Sequence, residues 1–123
     1  MILISHRGNI KEINRDRENS PKYIEEALNF GYDVEIDVWY RKNYFFLVHD
    51  LPLYKIDSNF LLNNKIWCHA KNSEALYNLK KINAHFFWHN IDDYTITSKG
   101  YVWVYPGKKV LKGSICVLPK KNV

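Results

Sequence analysis

The sequence predicts an α/β protein with a largely parallel sheet. Two observations predict it: each half of the chain opens on a short apolar strand, and in each half a capped amphipathic helix leads into a further strand. Strand, helix and strand in that order make the parallel βαβ unit. With 123 residues the chain has the length of one domain, 1–123.

The elements follow in order. Ile2-Leu3-Ile4 is short and β-branched and runs towards Gly8, as a buried strand ending in a loop does. After a polar stretch, Ser20-Pro21 offers an N-cap with proline at the first helical position. Ile24, Ala27 and Leu28 recur at helical spacing, and Gly31 marks the stop. Asp33 to Tyr40 alternates, with Val34, Ile36 and Val38 on one face and Asp33, Glu35 and Asp37 on the other. Tyr44 to Val48 is the next strand, with His49-Asp50 at its end. Leu51 to Asn64 reads as loop. Lys65 to Ala70 is a strand, and Asn72 or Ser73 caps a second helix carried by Ala75, Leu76, Leu79 and Ile82 and closed near Asn83. Ala84 to Trp88 is a strand with His89 after it. Tyr94–Thr97, Tyr101–Tyr105 and Ile115–Leu118 are separated by Gly- and Pro-bearing turns with no room for crossover helices, so these strands are antiparallel or joined by bare loops.

Composition narrows the function classes. With 46% hydrophobic and 25% charged residues the chain is neither disordered nor low-complexity. No apolar run approaches the roughly 20 residues of a membrane helix, so no transmembrane segment is expected. The opening Met1-Ile2-Leu3-Ile4 lacks the basic flank of a signal peptide, which predicts a cytoplasmic protein. Cys68 and Cys116 stand far from any zinc or redox spacing and read as packing thiols. The net charge of +5 gathers after Asp93, where there are six lysines and no acid. Solvated lysines around a sheet are the commoner reading of such a tail, and no nucleic-acid partner is expected from it.

His6, Glu35, Asp37 and His49 fall at or near the C-terminal ends of the first three predicted strands. Ends of successive parallel strands converge, and α/β proteins place their sites at that rim. Glu35 and Asp37, two apart on one strand, offer hard oxygen donors suited to Mg²⁺ or Ca²⁺; the alternative is a solvent-facing acidic strand. His6 and His49 have the side chain whose ordinary pKa lies nearest neutrality, so one suits a general base and the other a general acid. Arg7 offers a planar fork matched to phosphate oxygens.

Taken in order, His6-Arg7-Gly8, Glu18-Asn19-Ser20, Glu35-Ile36-Asp37-Val38 and His49-Asp50 resemble the opening of the glycerophosphodiester phosphodiesterase family, within the superfamily that includes phosphatidylinositol phospholipase C. The resemblance covers about the first fifty residues. It implies a TIM-type (β/α) barrel, here reduced or incomplete with few outer helices, because such barrels typically need about 250 residues. It implies a hydrolase of lipid metabolism that cleaves a glycerophosphodiester-like or sugar phosphodiester. His6 and His49 are then the catalytic pair, Glu35 and Asp37 the metal ligands, and Arg7 a phosphate contact, with Glu18 and Asn19 supporting the rim. Transfer to an internal hydroxyl, giving a cyclic phosphate, fits the same two histidines.

Where the family's fourth strand carries Glu-x-Lys, this chain has His69-Ala70-Lys71. His69 then becomes a candidate third metal ligand that softens the preference towards Mn²⁺ or Zn²⁺, and Lys71 a candidate phosphate contact. His89 is a further rim candidate, and Trp103 and Tyr105 are candidate pocket aromatics, each more ordinarily structural. Two rivals stand beside the enzyme: a non-catalytic descendant that binds a phosphorylated ligand, and a nucleic-acid binder using the lysine tail. A barrel stripped of helices leaves open edges, so a homo-oligomer, most simply a dimer, is expected.

Overall fold

The structure is a computed structural model that describes residues 2–48 and 53–104, and the backbone of 114–118. The elements are β1 (Leu3–His6), α1 (Pro21–Asn29), β2 (Asp33–Arg41), β3 (Tyr44–Leu47), β4 (Tyr54–Ile56), α2 (Ser58–Leu61), β5 (Ile66–Ala70), α3 (Ser73–Lys81), β6 (Phe86–Phe87), β7 (Tyr94–Ile96), β8 (Val102–Val104) and β9 (Ser114–Leu118). Among the described residues no helix is long and apolar enough to cross a membrane.

The two long helices form where caps permit them. Ser20 Oγ accepts from the Tyr23 amide at 3.3 Å, and Pro21 occupies the first turn, where its missing N–H leaves nothing unsatisfied. α1 buries Ile24 and Ala27, and its end is closed by the Gly31 and Tyr32 amides, which donate to Leu28 and Ala27 carbonyls. Asn72 caps α3 through the Ala75 amide at 2.9 Å. The same side chain also accepts from the Tyr40 amide and donates to the Tyr40 carbonyl, so one asparagine starts the helix and ties it to β2. Asn83, at φ 61°, ends the element.

β2 is the hub of a mixed nine-stranded sheet. It pairs in parallel with β1 on one side, where His6 lies opposite Glu35, and with β5 on the other, where Asp37 lies opposite His69. Beyond Val38 it continues into an antiparallel hairpin with β3, turned at Lys42-Asn43 with both residues at positive φ. β4 extends that hairpin, β6 extends β5, and β1 leads through β9 and β8 to β7.

Both faces of the sheet are buried, which the alternation in β2 makes possible. On one face Val34, Ile36, Val38, Ile66, Cys68 and Ala70 form the main core with Ile24, Ala27, Ala75 and Leu79 of the helices. Truncating a side chain such as Ile36 there should cost about 2–5 kcal/mol. On the other face Ile4, Trp67, Phe87 and Trp103 form a smaller aromatic core. Phe87 of β6 stacks on Trp103 of β8 at 4.3 Å, so the sheet curls until elements near its two ends touch.

That curl is not a barrel, and the expected TIM-type (β/α) architecture is corrected here. β2–β3, β3–β4 and β7–β8 are antiparallel, and no ladder joins β6 to β7 among the described residues. Among the described residues there are three helices, one of them a single turn, and no outer helical layer to wrap a closed parallel sheet. The third strand therefore belongs to a hairpin and not to a parallel rim. Leu51–Asn64, expected as loop, carries β4 and α2; α2 starts where the Asp57 side chain caps the Asn59 amide. The last strands divide as their short connections allow, with β7–β8 antiparallel and β8–β9 parallel.

Candidate metal centre

The concave face carries a polar cluster beside its aromatic core. Glu35 and Asp37 point there together because they are two apart on β2, and the parallel register with β5 sets His69 opposite Asp37. His69 Nδ1 lies 3.5 Å from Glu35 Oε2 and 3.5 Å from Asp37 Oδ1. From β1, His6 Nε2 lies 3.6 Å from Glu35 Oε1. Glu35 and Asp37 are buried, at 2% and 0% exposure.

These separations are longer than good hydrogen bonds and match the spacing of donors that could share a cation. A good N–H···O bond spans about 2.7–3.2 Å. Donors sharing one ion through bonds of about 2.1–2.4 Å sit roughly 3–3.5 Å apart. His69 Nε2 is 2.9 Å from the His89 carbonyl, an acceptor, so that nitrogen carries a proton. With Nε2 donating, the neutral form of the ring would present its Nδ1 lone pair to two carboxylates, an arrangement that a cation between them would stabilise. Glu35 Oε1, beside His6, and Asp37 Oδ1, beside His69, are buried acceptors with no hydrogen bond. The donors Glu35, Asp37 and His69 all approach within 4.8 Å of one another, and two carboxylates with one imidazole fit a divalent ion.

Behind the donors stands a fixed frame. The Arg7 guanidinium contacts Asp37 Oδ2 through Nε at 2.7 Å and donates to Glu18 Oε1 at 3.2 Å. Burial pulls the Arg7 pKa down most strongly, yet Asp37, Glu35 and Glu18 together outweigh it and raise it, so the guanidinium stays charged. Burial likewise pushes the Glu35 carboxyl up, and attraction to His6, hydrogen bonding and attraction to His69, and the charge of Arg7 together overcome this and hold it below the usual carboxylate range. When the histidines are neutral, three carboxylates face one guanidinium, a buried excess of negative charge that a further cation would offset.

The motif Glu18-Asn19-Ser20 builds this frame residue by residue. Glu18 Oε2 accepts from Asn9 Nδ2 at 2.7 Å while Oε1 takes Arg7. Asn19, at φ 66°, accepts from the Asp37 amide and donates to Asp37 Oδ2, both at 3.0 Å. Ser20 starts α1. Gly8, at φ 98°, lets α1 lie against the loop, since a Cβ there would stand 2.6 Å from Tyr23 Cδ2.

Among the candidate residues, the structure brings together His6, Arg7, Glu18, Asn19, Glu35, Asp37 and His69. His49 and Asp50 lie outside the described residues; the preceding Val48 donates its amide to the Asp37 carbonyl at 3.2 Å. Lys71 follows directly on β5, its amide bonded to the Val38 carbonyl. His89 enters through its backbone, as the acceptor that sets the His69 tautomer. Trp103 packs in the aromatic core, while Tyr105 and the lysines from Lys108 onward lie outside the described residues. Sequence reasoning missed Asn9, which is fully buried and accepts from the Tyr23 hydroxyl at 2.9 Å while donating to Glu18. An asparagine in a polar run carries no periodic signal.

Compared with known protein families, curated proteins and solved structures, the chain matches none. The expected labels of hydrolase and of lipid metabolism gain no support from any relative.

Proposed function

We propose that this chain cleaves the phosphodiester of a small alcohol or sugar at one divalent metal ion held by Glu35, Asp37 and His69. The observation that carries the reading is His69 Nδ1, a lone pair set 3.5 Å from one oxygen of each buried carboxylate. When bound, the ion supplies Lewis acidity at a phosphoryl oxygen. His6, 18% exposed and next to Glu35, is the group placed to move a proton at the edge of the site, as the resemblance assigns it. His49 is the second proton-transfer group that the sequence supplies, and Lys71 the cation for the remaining phosphate charge. The cluster rests on buried aromatic rings, His69 against Phe87 and Phe87 against Trp103, and this dry floor strengthens the attraction of an anion to the loaded site.

One observation favours the rival that binds a phosphorylated ligand without cleaving it. Arg7, expected as a phosphate contact, is spent on Asp37 and Glu18 and is only 13% exposed. Turnover of bis-p-nitrophenyl phosphate with added Mn²⁺ or Mg²⁺ separates the two. The enzyme should lose activity with chelator, and by about 10²–10⁴-fold in His6→Ala. Metal binding without turnover would leave the binding protein; no metal binding at all would end both.

A further inference from the structure

We infer that Asn19 and Arg7 are positioning residues that make Asp37 a one-oxygen metal ligand. This rests on the metal reading above and goes beyond it by fixing how the carboxylate binds. The two oxygens of Asp37 have different surroundings. Oδ2 accepts a hydrogen bond from the Asn19 amide at 3.0 Å and is ion-paired with the Arg7 guanidinium, whose Nε lies 2.7 Å away, so the carboxylate's charge is drawn to that oxygen. Oδ1 has no hydrogen bond, is buried, and faces His69 Nδ1. A carboxylate held this way offers one free oxygen, whereas an unrestrained carboxylate can turn and chelate through both.

The frame is built to hold that orientation. Asn19 grips Asp37 at two points, since its side-chain oxygen also accepts from the Asp37 amide. Its own backbone sits at φ 66°, a region that asparagine tolerates better than most residues, and is pinned by the Asn19 amide donating to the Arg7 carbonyl. The Arg7 amide in turn donates to the Glu35 carbonyl at 2.7 Å. Both positioning residues are thus locked to each other and to the strand that carries the ligands.

The test is titration of the full chain with Co²⁺, read by binding affinity and by visible absorption, which reports coordination number. Asn19→Gly keeps the positive φ without strain and removes both side-chain bonds to Asp37. Its affinity should fall about 10–100-fold, the usual loss when a supporting residue is removed. Its absorption should weaken as Oδ2 joins the metal, a change that simple loss of stability does not produce. Arg7→Lys keeps a positive charge but removes the Nε that ion-pairs with the same oxygen, and should shift both readouts in the same direction by less; it also serves should the glycine variant fail to fold. Unchanged affinity and spectrum in the variants, with wild-type chain binding Co²⁺, would overturn this inference alone. A wild-type chain that binds no Co²⁺ overturns the metal reading, and this inference with it.

Discussion

Gly8→Ala should destabilise the protein by about 3 kcal/mol, from two separable effects. Gly8 sits at φ 98°, where a β-carbon costs roughly 1–2 kcal/mol. That carbon would also stand 2.6 Å from Tyr23 Cδ2 and 3.2 Å from the Tyr23 carbonyl carbon. The ring can shift only by disturbing its hydroxyl bond to Asn9, and the backbone of α1 cannot shift at all without moving the helix, so overpacking adds about 1–3 kcal/mol. Loss of freedom in the unfolded chain returns about 0.4–1 kcal/mol. Gly31→Ala isolates the first effect, because Gly31 has a similar φ of 93° and nothing within 4 Å of its added carbon. Urea unfolding followed by fluorescence of the four tryptophans measures both. The alanine at position 8 should cost at least 1 kcal/mol more than that at position 31. Equal losses would refute the close approach of α1 to the Gly8 loop, and with it the account of how Asn9 and Glu18 are brought to Arg7.

Further outcomes follow from the cluster and from His85. Asp37→Asn should lower metal affinity at least tenfold while the fold persists, because the amide keeps the shape, loses the charge, and leaves Arg7 paired with Glu18; calorimetric metal titration checks it, and unchanged affinity would refute the ligand assignment. His69→Glu should move the metal preference from Mn²⁺ or Zn²⁺ towards Mg²⁺, and identical preference series for the two proteins would remove His69 from the site. Burial, helped by Lys99, lowers the His85 pKa from 6.5 to about 4. The unfolded chain therefore binds a proton that the folded one refuses, and His85 costs stability as pH falls from about 6.5 towards 4, with no contribution above that window. His85→Gln, which has no proton to gain, should show a shallower loss over that range; equal slopes would assign the effect to other groups.

What was legible in the sequence was local, and what was hidden depended on pairing across the chain. Ser20-Pro21 and Asn72 are caps whose chemistry acts within a single turn, and both helices start where those residues stand. The alternation from Asp33 to Tyr40 named the two faces of β2, but whether the acidic face met water was not a local question. It depends on β1 and β5 flanking β2 in parallel and on Trp67, Phe87 and Trp103 filling the concave side. Likewise β3 carries apolar residues that suit either direction of pairing, and only the Lys42-Asn43 turn, with both residues at positive φ, marks the hairpin that makes it antiparallel. The cluster needs only β1, β2 and β5 side by side and a loop between β1 and α1 to clamp Asp37. His6, Glu35, Asp37 and His69 meet on those three strands, and nothing in their mutual arrangement requires the sheet to close.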